Sequence, residues 1–185
     1  MTIPNLITIL RVLMTPFIIW SLLSGAYMWA FGLFVVAGLS DAVDGAIARM
    51  FDQQSELGTV LDPLADKTLL VSVFIVLGVM GNIPLWLTIL VFSRDLLIVA
   101  GIILCFVIGR PVKIKPLWVS KANTLAQITL ASLVLGLLAF QLELTVIKVS
   151  LEIITGLLTG FSALAYVFEG IKHLGSNGLD RVDNQ

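Results

Sequence analysis

Charged residues are scarce in this chain of 185 residues, where Asp, Glu, Lys and Arg make up 12% against about a quarter in soluble domains. Cysteine occurs only once, as Cys105, which excludes a disulfide within the chain. The formal net charge of -1 leaves no basic excess, so no nucleic-acid partner is expected. These absences exclude a typical soluble domain and a disulfide-stabilised scaffold.

Hydrophobic residues are abundant instead, at 58% of the chain, with a mean hydropathy of +1.06. A bilayer span needs about 20 mostly apolar residues, and polar or Gly/Pro breaks divide this chain into six such runs. The runs predict an all-α polytopic membrane protein with six transmembrane helices over residues 6–24, 27–48, 57–80, 84–108, 121–140 and 146–170. Residues 1–175 are predicted to form one transmembrane domain, followed by a polar tail at 176–185.

The positions of lysine and arginine predict the orientation in the membrane. Nine of the eleven fall on the side of the N-terminus, and only Lys148 falls at the opposite ends of the predicted spans. Both termini are therefore predicted to be cytoplasmic, in a multi-pass protein of the bacterial inner membrane.

Four aspartates stand beside two of the apolar runs, where carboxylates are costly and mark a functional site. Asp41 and Asp44 are three residues apart, and Asp62 and Asp66 are four apart, so each pair lies on one face of its helix. A short polar elbow near Asp52 joins the two helices, which predicts that the pairs face each other. Asp52 and Glu56 belong to this elbow and are interpreted as solvated rather than as ligands.

Four converging carboxylates raise one another's pKa unless cations neutralise them. Oxygen ligands without a nearby Cys or His favour Mg²⁺ or Mn²⁺ over zinc. Gly45, Ala48 and Gly58 are small and leave an open slot beside the acidic pairs. Arg49 supplies a cation that suits a phosphate group. We therefore predict a pocket for a metal-bound diphosphate, lined by Gly45, Ala48, Arg49 and Gly58.

The complete pattern resembles the signature of the CDP-alcohol phosphotransferase family. It reads Asp41-x-x-Asp44-Gly45-x-x-Ala48-Arg49, then eight residues, then Gly58-x-x-x-Asp62-x-x-x-Asp66. Every position of the signature matches, and the likeness continues through Ile3-Pro4-Asn5-Leu6 and Arg11 to the length of the chain.

The resemblance implies a reaction and roles for the aspartates. Asp41, Asp44 and Asp62 would ligate two Mg²⁺ or Mn²⁺ ions, with Asp44 and Asp62 bridging them, and Asp66 would complete the metal-binding set and act as the general base. The implied donor is CDP-diacylglycerol, whose phosphatidyl group would pass to an alcohol with release of CMP. The resemblance also suggests a homodimer.

The acceptor is predicted from Ser120-Lys121-Ala122-Asn123-Thr124 at the start of the fifth run. Family members that use glycerol-3-phosphate tend to carry a second lysine where Asn123 stands, whereas members that form cardiolipin resemble this pattern. The prediction is phosphatidylglycerol as acceptor, with glycerol-3-phosphate as the alternative, and Asn123→Lys should raise the use of glycerol-3-phosphate. The predicted acceptor-binding residues are Lys121, Asn123 and Arg94, although Arg94 and Asp95 could equally form a structural ion pair.

Two other classes of function remain at this point. A cation-coupled transporter would also place carboxylates in apolar helices, but such sites typically lie near the membrane midplane rather than at one face. A noncatalytic membrane-assembly subunit leaves the acidic cluster without a reason.

Overall fold

A computed structural model describes the backbone of residues 3–51, 56–107 and 118–179, and the side chains of residues 10–40, 67–101 and 118–168. Throughout that backbone the fold is helical, with no strand. The six helices are α1 (Ile3–Leu23), α2 (Tyr27–Phe51), α3 (Glu56–Val79), α4 (Leu85–Val107), α5 (Trp118–Phe140) and α6 (Thr145–Leu179).

Each predicted run corresponds to one helix, so the all-α prediction is confirmed. The largest difference is at the end of α6, whereas the start of α1, the end of α2 and the start of α5 each differ by three residues. Helix α1 begins at Ile3 rather than at residue 6, and α6 continues to Leu179 rather than ending at residue 170. Hydropathy detects only the apolar part of a helix, and α6 carries on into a polar segment.

Three helices end with a residue in the left-handed conformation. Gly25 and Gly81 have φ of 77° and 76°, and the non-glycine Gln141 has φ of 54°. In each case the next amide donates back to the carbonyl five residues earlier, as in Asn82 to Leu77 at 2.9 Å. This Schellman geometry reverses the chain, and at Gly81 it confirms the break predicted between the runs 57–80 and 84–108.

The helices pack around a shared apolar core. Helix α1 packs against α2 and α3, α5 against α2 and α6, and α4 against α3 and α6, while α3 also touches α5. Fully buried core residues are contributed by at least five helices and include Ile18, Leu22, Val73, Phe74, Leu77, Leu87, Leu130 and Leu135.

The outer surface of the bundle is apolar, and several polar side chains lie inside it. Large apolar residues are exposed on all six helices, including Phe17, Trp29, Val79, Leu96, Leu125 and Phe168. By length and composition, two described segments can cross a membrane, Trp118–Phe140 and Thr145–Phe168, each with a hydropathy of 1.7. Interior polar residues include Arg11, Arg94, Asn123, Gln127, Glu152 and Ser162.

Gly78 of α3 lies directly against Thr88 of α4. A Cβ atom placed there would lie 2.4 Å from Thr88 Oγ1 and 3.2 Å from Thr88 Cβ, and Thr88 is itself buried. Because neither helix can move without disturbing the core, we expect Gly78→Ala to lower the free energy of unfolding by about 1–3 kcal/mol.

Thermal unfolding in detergent tests this expectation, with Gly32→Ala as the matched control. A Cβ at Gly32 meets no described atom within 4 Å, and alanine favours helix over glycine, so the control should keep or raise stability. Equal melting temperatures for the two variants would contradict the close contact at Gly78.

Candidate active site at the α2–α3 motif and the central cavity

The acidic motif lies on two consecutive helices. Asp41 and Asp44 belong to α2, and Asp62 and Asp66 belong to α3. Their side chains fall outside the described ones, as do those of the predicted diphosphate-pocket residues Gly45, Ala48, Arg49 and Gly58. The convergence of the four carboxylates therefore remains a prediction. Among side chains 10–40, 67–101 and 118–168, no group of three or more His, Cys, Asp and Glu residues could hold a metal ion.

A cavity of about 530 Å³ opens between α1, α2, α3, α4 and α5. Its surface is mostly apolar, but Arg11, Lys67, Arg94 and Asp95 also line it. The described residues that line this central cavity include three cations and one carboxylate, a net charge of +2. Lys67 directly follows the motif residue Asp66 in α3, so the described lining adjoins the acidic motif along the chain.

Arg94 of α4 donates hydrogen bonds to residues of α5 and α6 inside the bundle. Only 3% of its side chain is exposed. Its Nη1 atom donates to Asp95 Oδ1 at 2.5 Å, Nη2 donates to Ser120 Oγ at 2.5 Å, and Nε and Nη2 donate to Ser162 Oγ at 3.2 and 2.8 Å. Its guanidinium carbon lies 5.6 Å from the centre of the Tyr166 ring. Each guanidinium nitrogen therefore has a partner within the protein.

Asp95 joins this arginine to the cavity lysine. The same Oδ1 atom that accepts from Arg94 accepts from Lys67 Nζ at 3.1 Å. Of the two alternatives for Arg94 and Asp95, the structure shows the ion pair. We refer to Arg94, Asp95, Lys67, Ser120 and Ser162 as the Arg94 network.

The other two predicted acceptor residues are not among the described residues that line the central cavity. Lys121 is exposed, and its ammonium lies 5.4 Å from the centre of the Trp118 ring. Asn123 is 0% exposed, and its Oδ1 atom accepts from Thr159 Oγ1 at 2.7 Å across the α5–α6 interface. The structure thus brings only Arg94 of the three to the central cavity.

Asn123 belongs to a polar seam between α5 and α6. Gln127 lies one turn after Asn123 on α5, and Thr155 lies one turn before Thr159 on α6. Both are buried, and the atoms Gln127 Nε2 and Thr155 Oγ1 have no hydrogen-bond partner among the described residues. The two helices are antiparallel neighbours, so residues four positions later on α5 face residues four positions earlier on α6. Buried polar groups of this kind usually hold ordered water, and Gln127 also lines the central cavity.

Sequence reasoning missed Lys67, Gln127 and Ser162 as candidate residues. Lys67 is one of the nine cations on the side of the N-terminus, and its position next to a motif aspartate is a usable signal for a site. Gln127 lies four residues after Asn123, and Ser162 lies three after Thr159. This helical spacing of polar residues in apolar runs indicates a buried polar face.

Comparison with known proteins identifies the family. The model of the CDP-alcohol phosphatidyltransferase family matches residues 1–161. A cardiolipin synthase (CMP-forming) of Rattus norvegicus is 33% identical over 190 residues, which cover 92% of this chain and 62% of the rat protein. A probable cardiolipin synthase (CMP-forming) of Drosophila melanogaster is 33% identical over 183 residues, which cover 90% of this chain and 57% of the fly protein.

A bacterial relative is matched over more of its own length. A probable phosphatidylglycerophosphate synthase of Mycobacterium tuberculosis is 32% identical over 177 residues, which cover 92% of this chain and 82% of that protein. The chain spans less than two thirds of the rat and fly proteins, but the family model covers most of it. The matched residues include the acidic motif on α2 and α3. The chain therefore belongs to the CDP-alcohol phosphatidyltransferase family.

Proposed function

We propose that this chain transfers a phosphatidyl group from CDP-diacylglycerol to a lipid alcohol, with release of CMP. The observation that carries the proposal is the central cavity, whose described lining is mostly apolar and includes Lys67, the residue that follows the motif aspartate Asp66. An apolar cavity with a few convergent charges suits a lipid whose headgroup carries phosphate. Family membership supplies the CDP-linked donor.

The membrane is the proposed environment of all six helices. Polar side chains inside the bundle and apolar ones outside support this placement, because lipid replaces water around the bundle. Exposed Trp20, Trp29, Trp86 and Trp118 lie near helix ends, as interfacial tryptophans do. With six spans both termini lie on one side, and the lysine and arginine distribution makes that side cytoplasmic. The acidic motif would then be at the cytoplasmic face.

Two divalent cations, Mg²⁺ or Mn²⁺, are the proposed cofactors. The motif offers carboxylate oxygens and no Cys or His, which fits hard cations. Asp41, Asp44, Asp62 and Asp66 would hold them, and Gly45, Ala48, Arg49 and Gly58 would accommodate the CDP diphosphate. When bound, the cations stabilise the charge that develops on the attacking and leaving oxygens.

Asp66 is proposed to act as the general base. Its carboxylate takes the proton of the acceptor hydroxyl while that oxygen forms a bond to the phosphorus on the lipid side of the diphosphate. The bond from this phosphorus to the bridging oxygen breaks, and CMP carries the electron pair away. The products are a phosphodiester lipid and CMP, with the proton on Asp66 returned to water.

Phosphatidylglycerol is the proposed acceptor, which would make the product cardiolipin. Support comes from the mostly apolar central cavity and from the similarity to animal cardiolipin synthases. The alternative acceptor, glycerol-3-phosphate, is favoured by the Mycobacterium tuberculosis relative, whose length is covered more fully. Asn123→Lys as a route to glycerol-3-phosphate stays a prediction, and the burial of Asn123 adds a folding cost to that variant.

An acceptor panel tests this assignment. The purified chain is assayed in mixed micelles with CDP-diacylglycerol and Mg²⁺ or Mn²⁺, and with phosphatidylglycerol, glycerol-3-phosphate or neither. We expect CMP release to depend on phosphatidylglycerol. CMP release with glycerol-3-phosphate but not with phosphatidylglycerol would indicate a phosphatidylglycerophosphate synthase instead of a cardiolipin synthase. Cation transport by reconstituted protein without CMP release would favour the transporter instead.

A homodimer and a bacterial inner-membrane location remain proposals from the sequence. The relatives come from animals as well as from Mycobacterium, so they are compatible with a bacterial or a eukaryotic membrane.

A further inference from the structure

The cations of the central cavity differ in how much of their hydrogen-bonding capacity the protein uses. Arg94 is nearly fully buried, and all three of its guanidinium nitrogens donate to Asp95, Ser120 or Ser162. These contacts use four of the five guanidinium N–H donors and join α4 to α5 and α6. Arg94 is therefore suited to holding the wall of the central cavity.

Lys67 has the opposite character. Its side chain is 43% exposed, and it lines the central cavity. An ammonium group has three donors, and among the side chains that the structure describes one of them is engaged, with Asp95 Oδ1 at 3.1 Å. The ammonium can keep this partner and still donate to an oxygen that enters the central cavity.

Asp95 fixes where the Lys67 ammonium lies. Its side chain is only 12% exposed, and its Oδ1 atom is held in turn by Arg94 Nη1. A lysine side chain is flexible, so a buried carboxylate at its tip limits the ammonium to one side of the central cavity. The chain of contacts runs from Ser120 and Ser162 through Arg94 and Asp95 to Lys67.

We propose that Lys67 binds a phosphate oxygen of the lipid acceptor in the central cavity, and that Asp95 is a positioning residue for Lys67. The proposal rests on the proposed function, and it adds a residue pair that neither the signature motif nor the predicted acceptor set contains. The acceptor phosphate is chosen over the donor diphosphate because the acidic motif on α2 and α3 already accounts for the donor.

The test is a steady-state comparison of wild type, Lys67→Met, Lys67→Arg and Asp95→Asn in mixed micelles. Phosphatidylglycerol is varied at saturating CDP-diacylglycerol, and CDP-diacylglycerol is then varied at saturating phosphatidylglycerol. We expect Lys67→Met to raise the KM for phosphatidylglycerol about tenfold or more, the effect of losing one charged hydrogen bond. The KM for CDP-diacylglycerol should stay within about twofold, and Lys67→Arg should recover most of the loss.

A double-mutant cycle separates positioning from mere folding. Asp95→Asn should raise the KM for phosphatidylglycerol less than Lys67→Met does. The double variant should match Lys67→Met, because Asp95 acts through Lys67. Thr129→Ala, whose exposed hydroxyl bonds only to the Leu125 carbonyl in the described structure, is the control and should leave both KM values unchanged. If Lys67→Met fails to fold, Lys67→Gln carries the same expectation.

Three results would overturn the proposal. The first is an unchanged KM for phosphatidylglycerol in folded Lys67→Met, and the second is a rise confined to the KM for CDP-diacylglycerol. The third is that the effects of Lys67→Met and Asp95→Asn add up in the double variant. The second result would assign Lys67 to the donor phosphate. Failure of the proposed function is a separate outcome, since it would appear as the absence of CMP release by the wild type.

Discussion

Asp62→Asn is expected to lower CMP release about a thousandfold, because the variant loses one carboxylate of the motif and, with it, transition-state charge stabilisation of several kcal/mol. Asparagine keeps the shape of the side chain and removes its charge, so the loss reports on the charge. Asp44→Asn should behave in the same way. The measurement is CMP formation at saturating metal and CDP-diacylglycerol.

Two matched substitutions show whether the effect belongs to the motif. Asp52→Asn makes the same chemical change in the segment between α2 and α3, and it should keep near wild-type activity. Asp66→Asn should suppress turnover but keep binding of the CDP-linked donor, as expected for a general base. More than a tenth of wild-type activity in Asp62→Asn would contradict the metal role of the motif.

Arg94→Met is expected to lower the free energy of unfolding by about 3–5 kcal/mol, the range observed when one partner of a buried ion pair is removed. The variant loses the contacts to Ser120 and Ser162, and it leaves Asp95 with Lys67 as its remaining charged partner in the Arg94 network. Methionine has a comparable length and can fill the space, so the loss reports on charge and hydrogen bonds.

Thermal unfolding in detergent measures this effect, and Lys121→Met is the control for stability. Lys121 is exposed and lies over the Trp118 ring, so its removal should change stability by less than about 0.5 kcal/mol. Arg94→Lys should be nearly as unstable as Arg94→Met, because a lysine ammonium cannot reproduce the hydrogen bonds that the planar guanidinium donates in fixed directions. A stable Arg94→Met with a raised KM for the acceptor would instead support the role predicted from the sequence, direct contact with the acceptor.

Local patterns in the sequence were sufficient to predict the helices and the motif. Apolar runs and the break at Gly81 depend on residues close together in the chain, and the corresponding helices and turn are where they were expected. The spacing of the four aspartates is likewise local, and the family comparison agrees with the resemblance seen there.

Packing partners from distant parts of the chain could not be predicted in this way. The central cavity combines Arg11 of α1, Lys67 of α3 and Arg94 of α4, and no short pattern brings these residues together. Glycine spacing was equally uninformative about Gly78, whose close contact depends on Thr88 of the next helix. Such contacts are fixed by how the helices dock.

Metal-dependent transfer of a phosphatidyl group with release of CMP, the proposed function, can be tested by a mass balance. Purified protein is incubated with CDP-diacylglycerol and phosphatidylglycerol, and CMP and lipid product are quantified with Mn²⁺ or Mg²⁺, after chelation, and after the metal is restored. We expect equal molar amounts of CMP and cardiolipin, loss of both on chelation and recovery on restoring the metal. CMP formation that persists without a divalent metal, or no CMP with any acceptor alcohol, would contradict it.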